Sequence, residues 1–275
     1  MVLSQRSQVS AFLILGVLLV IIIGFGSWFF MQQRAESVVV VSQSVTGSFP
    51  SARVESFLRS CVQQAVDDSV LEVGRSGGFA NAFNDGRPHQ HHYFVDDGGV
   101  SYFIFDGESR VPTVESVRSE VSLAVKNAVE TCADWSKIVD VQIVRTGSFV
   151  VETSFSAIGT TVRVSSDALF SFGDKEFSVG TIEASSPYRL KLLLEKATTL
   201  ASSISASSRN SLDISTVCGS LSSSDGLVNV YLAGSSTGKV HLVSIVDSSP
   251  LTSGLPPLRL RFGVKGVALF WGCSA

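Results

Sequence analysis

The sequence predicts an α+β fold. One membrane-crossing helix stands at the amino end, followed by an extracytoplasmic domain of two packed helices, antiparallel strands and a third helix. Three observations carry this expectation. Residues 11–30 (AFLILGVLLVIIIGFGSWFF) contain no charge and no proline over twenty positions. Three later segments repeat apolar residues at the helical period of 3.6, while most of the chain beyond residue 138 alternates with a period near two. Four cysteines, Cys61, Cys132, Cys218 and Cys273, all follow the apolar run. An even number of cysteines outside the cytoplasm reads as two disulfides, and the absence of Cys-x-x-Cys speaks against a zinc ribbon or a thioredoxin-like motif.

Residues 1–10 read as a short cytoplasmic amino end and 11–30 as the transmembrane helix. Twenty helical residues reach ~30 Å, the thickness of a bilayer's hydrocarbon core. Trp28, Phe29 and Phe30 close the run as interfacial aromatics. Arg6 precedes it and Arg34 follows, so charge bias sets the orientation only weakly. The short amino end and the cysteine-bearing remainder favour a signal anchor with the carboxyl side outside. The flank after Gly26 (SWFFMQQRAES) offers no clean A-x-A-like site, which argues against a conventionally cleaved signal.

The chain has 275 residues and a net charge of −3. Beyond the anchor, about 240 residues suffice for one large domain or two small ones. No basic block exists to follow a phosphate backbone, so nucleic acid is not an expected partner. The expected partners are a lipid bilayer, through residues 11–30, and other surface or pilus proteins. No cofactor is expected. Ser, Thr, Val and Gly are abundant, as strands and turns require. No Asn-x-Ser/Thr sequon occurs and no internal repeat is visible.

Residues 31–50 form a linker: Val38–Val41 favours extended backbone, and Gly47 and Pro50 punctuate it. Residues 51–136 read as a helical hairpin-like subdomain with a β-hairpin insert. Ser51 is the expected cap of a helix over 52–73, whose face is Val54, Leu58, Cys61, Ala65 and Ser69 or Val70. Gly74 ends it, and a loop runs to His92. Residues 93–95 and 100–105 flank Asp96-Asp97-Gly98-Gly99, a hairpin signal. Thr113 caps the second helix, with a stripe of Val114, Val117, Val121, Val125, Ala128 and Cys132. Residues 137–275 read as a mainly β subdomain with one helix. Strands are expected around 139–143, 149–155, 160–165, 169–172 and 177–182. Ser186 and Pro187 are expected to open a third helix bearing Leu190, Leu193, Leu194, Ala197, Leu200 and Ile204. Strands over 227–232, 240–246, 258–264 and 267–271 complete the chain.

The amino end, Arg6-Ser7-Gln8-Val9-Ser10 running straight into the apolar stretch, resembles the class III (type IV pilin-like) signal of archaeal surface proteins. The resemblance implies cleavage between Ser7 and Gln8. Ser7 stands where Gly is commoner. Phe12 falls where polymerising pilins carry Glu, and Val38–Val41 interrupts the helix through which pilins assemble. The signal therefore fits better than the filament. The rest of the order, from the helix with a mid-helix cysteine through Gly77-Gly78 to the Pro-led helix ending in cysteine, is similar to uncharacterised single-pass archaeal proteins. That resemblance implies location and not chemistry.

The densest chemical cluster is His89, His91 and His92 in Pro-His-Gln-His-His, which has the donors for zinc, copper or nickel. A solvated loop is the plainer reading. Asp96, Asp97 and Asp106 sit in ordinary turn sequences, and Asp67-Asp68 in the polar face of the first helix. Gly74–Gly78 follows a helix and lacks the Lys-Ser/Thr of a phosphate loop, and no Gly-x-Ser-x-Gly supports a hydrolase. His241 belongs to an alternating strand, at the surface or half-buried. Four cysteines allow three pairings. Cys61 and Cys132 both lie on apolar helix faces, and such faces must meet to be buried, which favours Cys61–Cys132 with Cys218–Cys273. The expected function is that of a membrane-anchored, non-catalytic surface protein with a structural, adhesive or minor-pilin-like role. The alternative is a metal-binding or enzymatic ectodomain using the histidine loop.

Overall fold

The computed structural model describes residues 50–80, 92–95, 98–138, 141–206, 211–213, 228–234, 240–250, 254–266 and 268–270. The first helix, α1, spans Pro50–Arg75. It begins earlier than expected because proline, with φ preset and no N–H to satisfy, suits a first helical turn. Ser51 therefore lies inside the helix and does not cap it. At the far end Gly78 N–H donates to Val73 O (2.7 Å) and Gly77 N–H to Gly74 O (3.2 Å). Gly77 has a φ of 73°. This paired closure needs a left-handed residue after the helix, which glycine supplies without strain. The buried face of α1 is wider than its sequence stripe and adds Val62, Val66 and Val73. Three neighbours explain the width: the helix packs on another helix and on strands from two sheets.

Strands β1 (His92–Val95) and β2 (Gly98–Phe105) form the expected hairpin, with Val95 opposite Gly98. Gly98 and Gly99, expected in the turn, belong to β2. Asp106 and Gly107, with φ of 51° and 87°, turn β2 back into β3 (Glu108–Ser109). Helix α2 follows at Val114–Cys132. Thr113 caps it as expected, its hydroxyl oxygen accepting from Ser116 N–H at 3.1 Å. Val117, Val121, Val125 and Val129 are buried. Cys61 and Cys132 are joined in a disulfide, with Cα atoms 6.0 Å apart. That separation lies in the ordinary range for such a bond, so the two cysteine-bearing faces do meet. A 3-10 turn at Trp135–Lys137 sets Trp135 edge-on to Phe170 at 5.0 Å and near Phe149 at 6.2 Å.

Next come β4 (Gln142–Arg145), β5 (Phe149–Phe155), β6 (Thr160–Ser166), β7 (Leu169–Phe172), β8 (Lys175–Ser178) and β9 (Ile182–Ser186). They make two three-stranded antiparallel sheets, β4-β7-β8 and β5-β6-β9. The single strand expected over 177–182 is thus two, in different sheets, separated where the chain passes Gly180. Helix α3 occupies Leu190–Ala206. Ser186 does not cap it and Pro187 does not start it, because Ser186 is held in the ladder opposite Thr160. Proline, which has no N–H to donate, then ends that ladder. Leu190, Leu193, Leu194, Ala197, Leu200 and Ile204 are all buried, as their period requires.

The last strands are β10 (Ser211–Asp213), β11 (Val228–Gly234), β12 (Val240–Asp247), β13 (Leu258–Lys265) and β14 (Ala268–Phe270). The main sheet runs β1-β2-β13-β12-β11, with β3 also on β2. Its strands come from both ends of the described chain. Two pairings are parallel, β13 with β2 and β10 with β14, which corrects the expectation of antiparallel strands alone. Parallel neighbours need a long crossover, and two helices and two sheets lie between β2 and β13. Helix α3 packs on β12, β13 and β2.

The fold class is therefore α+β with three helices and a majority of strands among the described residues. The membrane-crossing helix placed at its head is corrected: among the described residues no helix is long and apolar enough to cross a membrane. Helices α1, α2 and α3 are amphipathic and bury one side against sheet or helix, while their other sides carry charge. Residues 11–30 lie outside the described residues.

Candidate functional site

Of the residues singled out by sequence, Ser7, Gln8, His89, His91, Asp96, Asp97, Cys218 and Cys273 lie outside the described residues. His92 is the first residue of β1. Among the described residues no group of three or more His, Cys, Asp or Glu side chains is gathered as a metal site. Asp106 is a turn residue, as expected. His241 is more enclosed than expected, only 6% exposed, because it sits on the face of β12 that turns toward the core. Asp67 is also more than a solvated helix residue: Gln63 Nε2 donates to its Oδ2 at 3.1 Å and to Ser185 O at 3.1 Å.

Among the described residues, the most enclosed charge was not legible in sequence. Asp247, at the end of β12, has no exposed surface. Arg189 Nε donates to Asp247 Oδ2 (2.8 Å) and Arg189 Nη2 to Asp247 Oδ1 (2.7 Å), a bidentate pair. Ser249 N–H adds a bond of 2.9 Å to Asp247 Oδ1. Burial pushes the Asp247 carboxyl up, but Arg189 and Ser249 together outweigh it and hold its pKa below the usual carboxylate value. Nearby in sequence, Tyr188 is buried and its pKa is pushed up to about 12, by burial first and then by the Asp67 and Asp68 carboxylates. Its hydroxyl stays protonated at neutral pH. Glu120 of α2 is 5% exposed and accepts Ala80 N–H at 3.1 Å. Each of these groups is engaged in holding elements together.

A different chemistry occupies the outer face of the main sheet. Tyr231, Ser244 and Arg261 are successive cross-strand partners, as are Asn229, Val246 and Arg259. Directly opposed residues share a face. The intervening Val243, Ile245, Leu260 and Phe262 are fully buried on the other side. The outer rows are open at their β11 and β13 ends, where Tyr231 is 56% exposed, Arg259 is exposed and Arg261 is half-buried, and closed in the middle, where Val246 is 6% exposed. Ser244 Oγ, between Tyr231 and Arg261, is buried with no hydrogen-bond partner. Further along, a Cβ added at Gly263 would stand 2.6 Å from the Tyr102 ring, so that ring lies directly on the glycine backbone. Phe105 follows, with Lys265 Nζ 4.3 Å and the Arg110 guanidinium 4.8 Å from its ring centroid. Arg259 and Lys265 make no ion pair among the described residues, whereas Arg110 pairs with Glu108 at 3.4 Å. One sequence signal pointed here: Arg259 and Arg261 alternate with Leu258, Leu260 and Phe262, which places two cations on one face. No family model, curated protein or solved structure matches the chain.

Proposed function

We propose that the chain is an extracytoplasmic cell-surface protein with a structural, adhesive or minor-pilin-like role and no catalysis. The observation that carries this reading is the Cys61–Cys132 disulfide, which ties the two long helices at one point. Such bonds persist in oxidising compartments and are rare in the cytosol. The resemblance of residues 6–10 and the apolar run after them to a prepilin-type signal, cut before Gln8, supports the same location. The buried ionisable groups support a non-catalytic role, since Asp247, Tyr188 and Glu120 are enclosed in packing contacts. Lipid contact through the uncharged residues 11–30 and contact with other surface or pilus proteins are the partners proposed. Neither depends on a helix of the described fold.

Protease added to intact native cells tests the location. Loss of the region 50–275, with a cytoplasmic control protein spared, is the expected outcome. Complete protection, or Cys61 and Cys132 alkylated without prior reduction in freshly lysed cells, would overturn the reading.

A further inference from the structure

We propose that the outer face of the main sheet binds a carboxylate-bearing oligosaccharide, with Tyr231 and Tyr102 as stacking rings and Arg259, Arg261 and Lys265 as its cations. The proposal deepens the surface reading by naming the class of partner an adhesive role would require. The chain as a whole carries a net charge of −3, so cations gathered on one face run against the overall balance. Adjacent strands lie ~4.8 Å apart, which sets Tyr231 on β11 and Arg261 on β13 about 10 Å from each other. Arg259 is two residues from Arg261 on the same face, ~7 Å along the strand. The spread is one of rings and cations in two dimensions, suited to an extended ligand bearing repeated charges.

Two features select an acidic sugar over another anion. Guanidinium groups present forked donors that match a carboxylate. Aromatic rings offer apolar faces to the C–H faces of sugar rings, and here one ring is well exposed while another lies against a glycine. An acidic peptide adding as a strand would use main-chain groups at a sheet edge. These side chains stand instead on the sheet's broad face, spread across β11, β12 and β13 and not along one edge.

The test uses the full chain with its disulfides intact and titrates it calorimetrically with a galacturonic acid tetramer. Saturable binding that weakens as salt is raised is expected, with none for a neutral galactose tetramer. Arg259→Glu and Tyr231→Ala, both at exposed positions, are each expected to weaken binding about tenfold while leaving the circular dichroism spectrum unchanged. No binding of the uronate tetramer, equal binding of the neutral one, or unchanged affinity in both variants would overturn the proposal. Equal binding of poly-glutamate or single-stranded DNA would do so as well, by showing an unselective anion surface. Because this assay is made in solution, its failure is separable from a failure of the cell-surface location, which the protease experiment reads independently.

Discussion

A carboxylate with no exposed surface, such as that of Asp247, survives in a protein interior only if its charge is met. Arg189 meets it with two nitrogens and Ser249 with one. Removing one partner of such a buried pair typically costs ~3–5 kcal/mol, because the other charge is left behind. Arg189 keeps 16% of its side chain exposed, which places Asp247→Asn toward the lower end. The pH dependence follows from the direction of the shift. The folded pKa lies below the unfolded one, so the stabilisation is present above about pH 4 and is lost as pH falls through the folded value. Urea denaturation should therefore show a constant gap between native protein and Asp247→Asn from neutral pH down to about pH 5, narrowing below about pH 4. A gap undiminished in that acid range would mean that the charge is not its source. Nothing in the sequence brings these residues together, since 58 positions separate them.

Gly74, in the last turn of α1, sets two element-scale effects against each other. Replacing glycine by alanine inside a helix ordinarily gains ~1 kcal/mol. Here the new Cβ would stand 2.6 Å from Arg259 O and 3.3 Å from Leu258 Cδ1. Arg259 O belongs to the β13 backbone and cannot swing aside as a side chain would. Overpacking of this kind costs ~1–3 kcal/mol, so Gly74→Ala should destabilise by roughly 1 kcal/mol net. Gly180→Ala, where the added carbon meets nothing within 4 Å, is the control and should change little. A thermal melt in which Gly74→Ala is the more stable of the two would show that α1 does not seat against β13 this closely. The helix faces themselves were legible, because an amphipathic period is local. The start of α3 was not: Ser186-Pro187 has the composition of a helix opening, and only its pairing with Thr160 reveals a strand end.

At the scale of the whole molecule, the Cys61–Cys132 bond links residues 71 positions apart. Closing a loop of that length removes about 4 kcal/mol of unfolded-chain entropy, a large share of the ~5–15 kcal/mol that holds a domain folded. The double variant Cys61→Ala, Cys132→Ala should unfold at markedly lower denaturant. Non-reducing peptide mapping of the native protein should recover Cys61 joined to Cys132 and, as the remaining pair, Cys218 joined to Cys273. Recovery of Cys61 linked to Cys218 or Cys273 would mean that α1 and α2 do not present these faces to each other. Cys218 and Cys273 lie outside the described residues, and their pairing follows by elimination once Cys61 is joined to Cys132.

The sequence by itself determined the faces of α1, α2 and α3, the positions of most strands and the Thr113 cap. Each follows from periodicity or capping within a few residues of the chain, where backbone geometry leaves little choice. Only the tertiary structure decided that β2 lies parallel to β13, that Arg189 closes on Asp247, and that Tyr231, Ser244 and Arg261 form one row. Those depend on register between distant segments. A slip of one residue would turn every side chain of a strand to the opposite face, so the strand pattern alone does not say which residues share a surface.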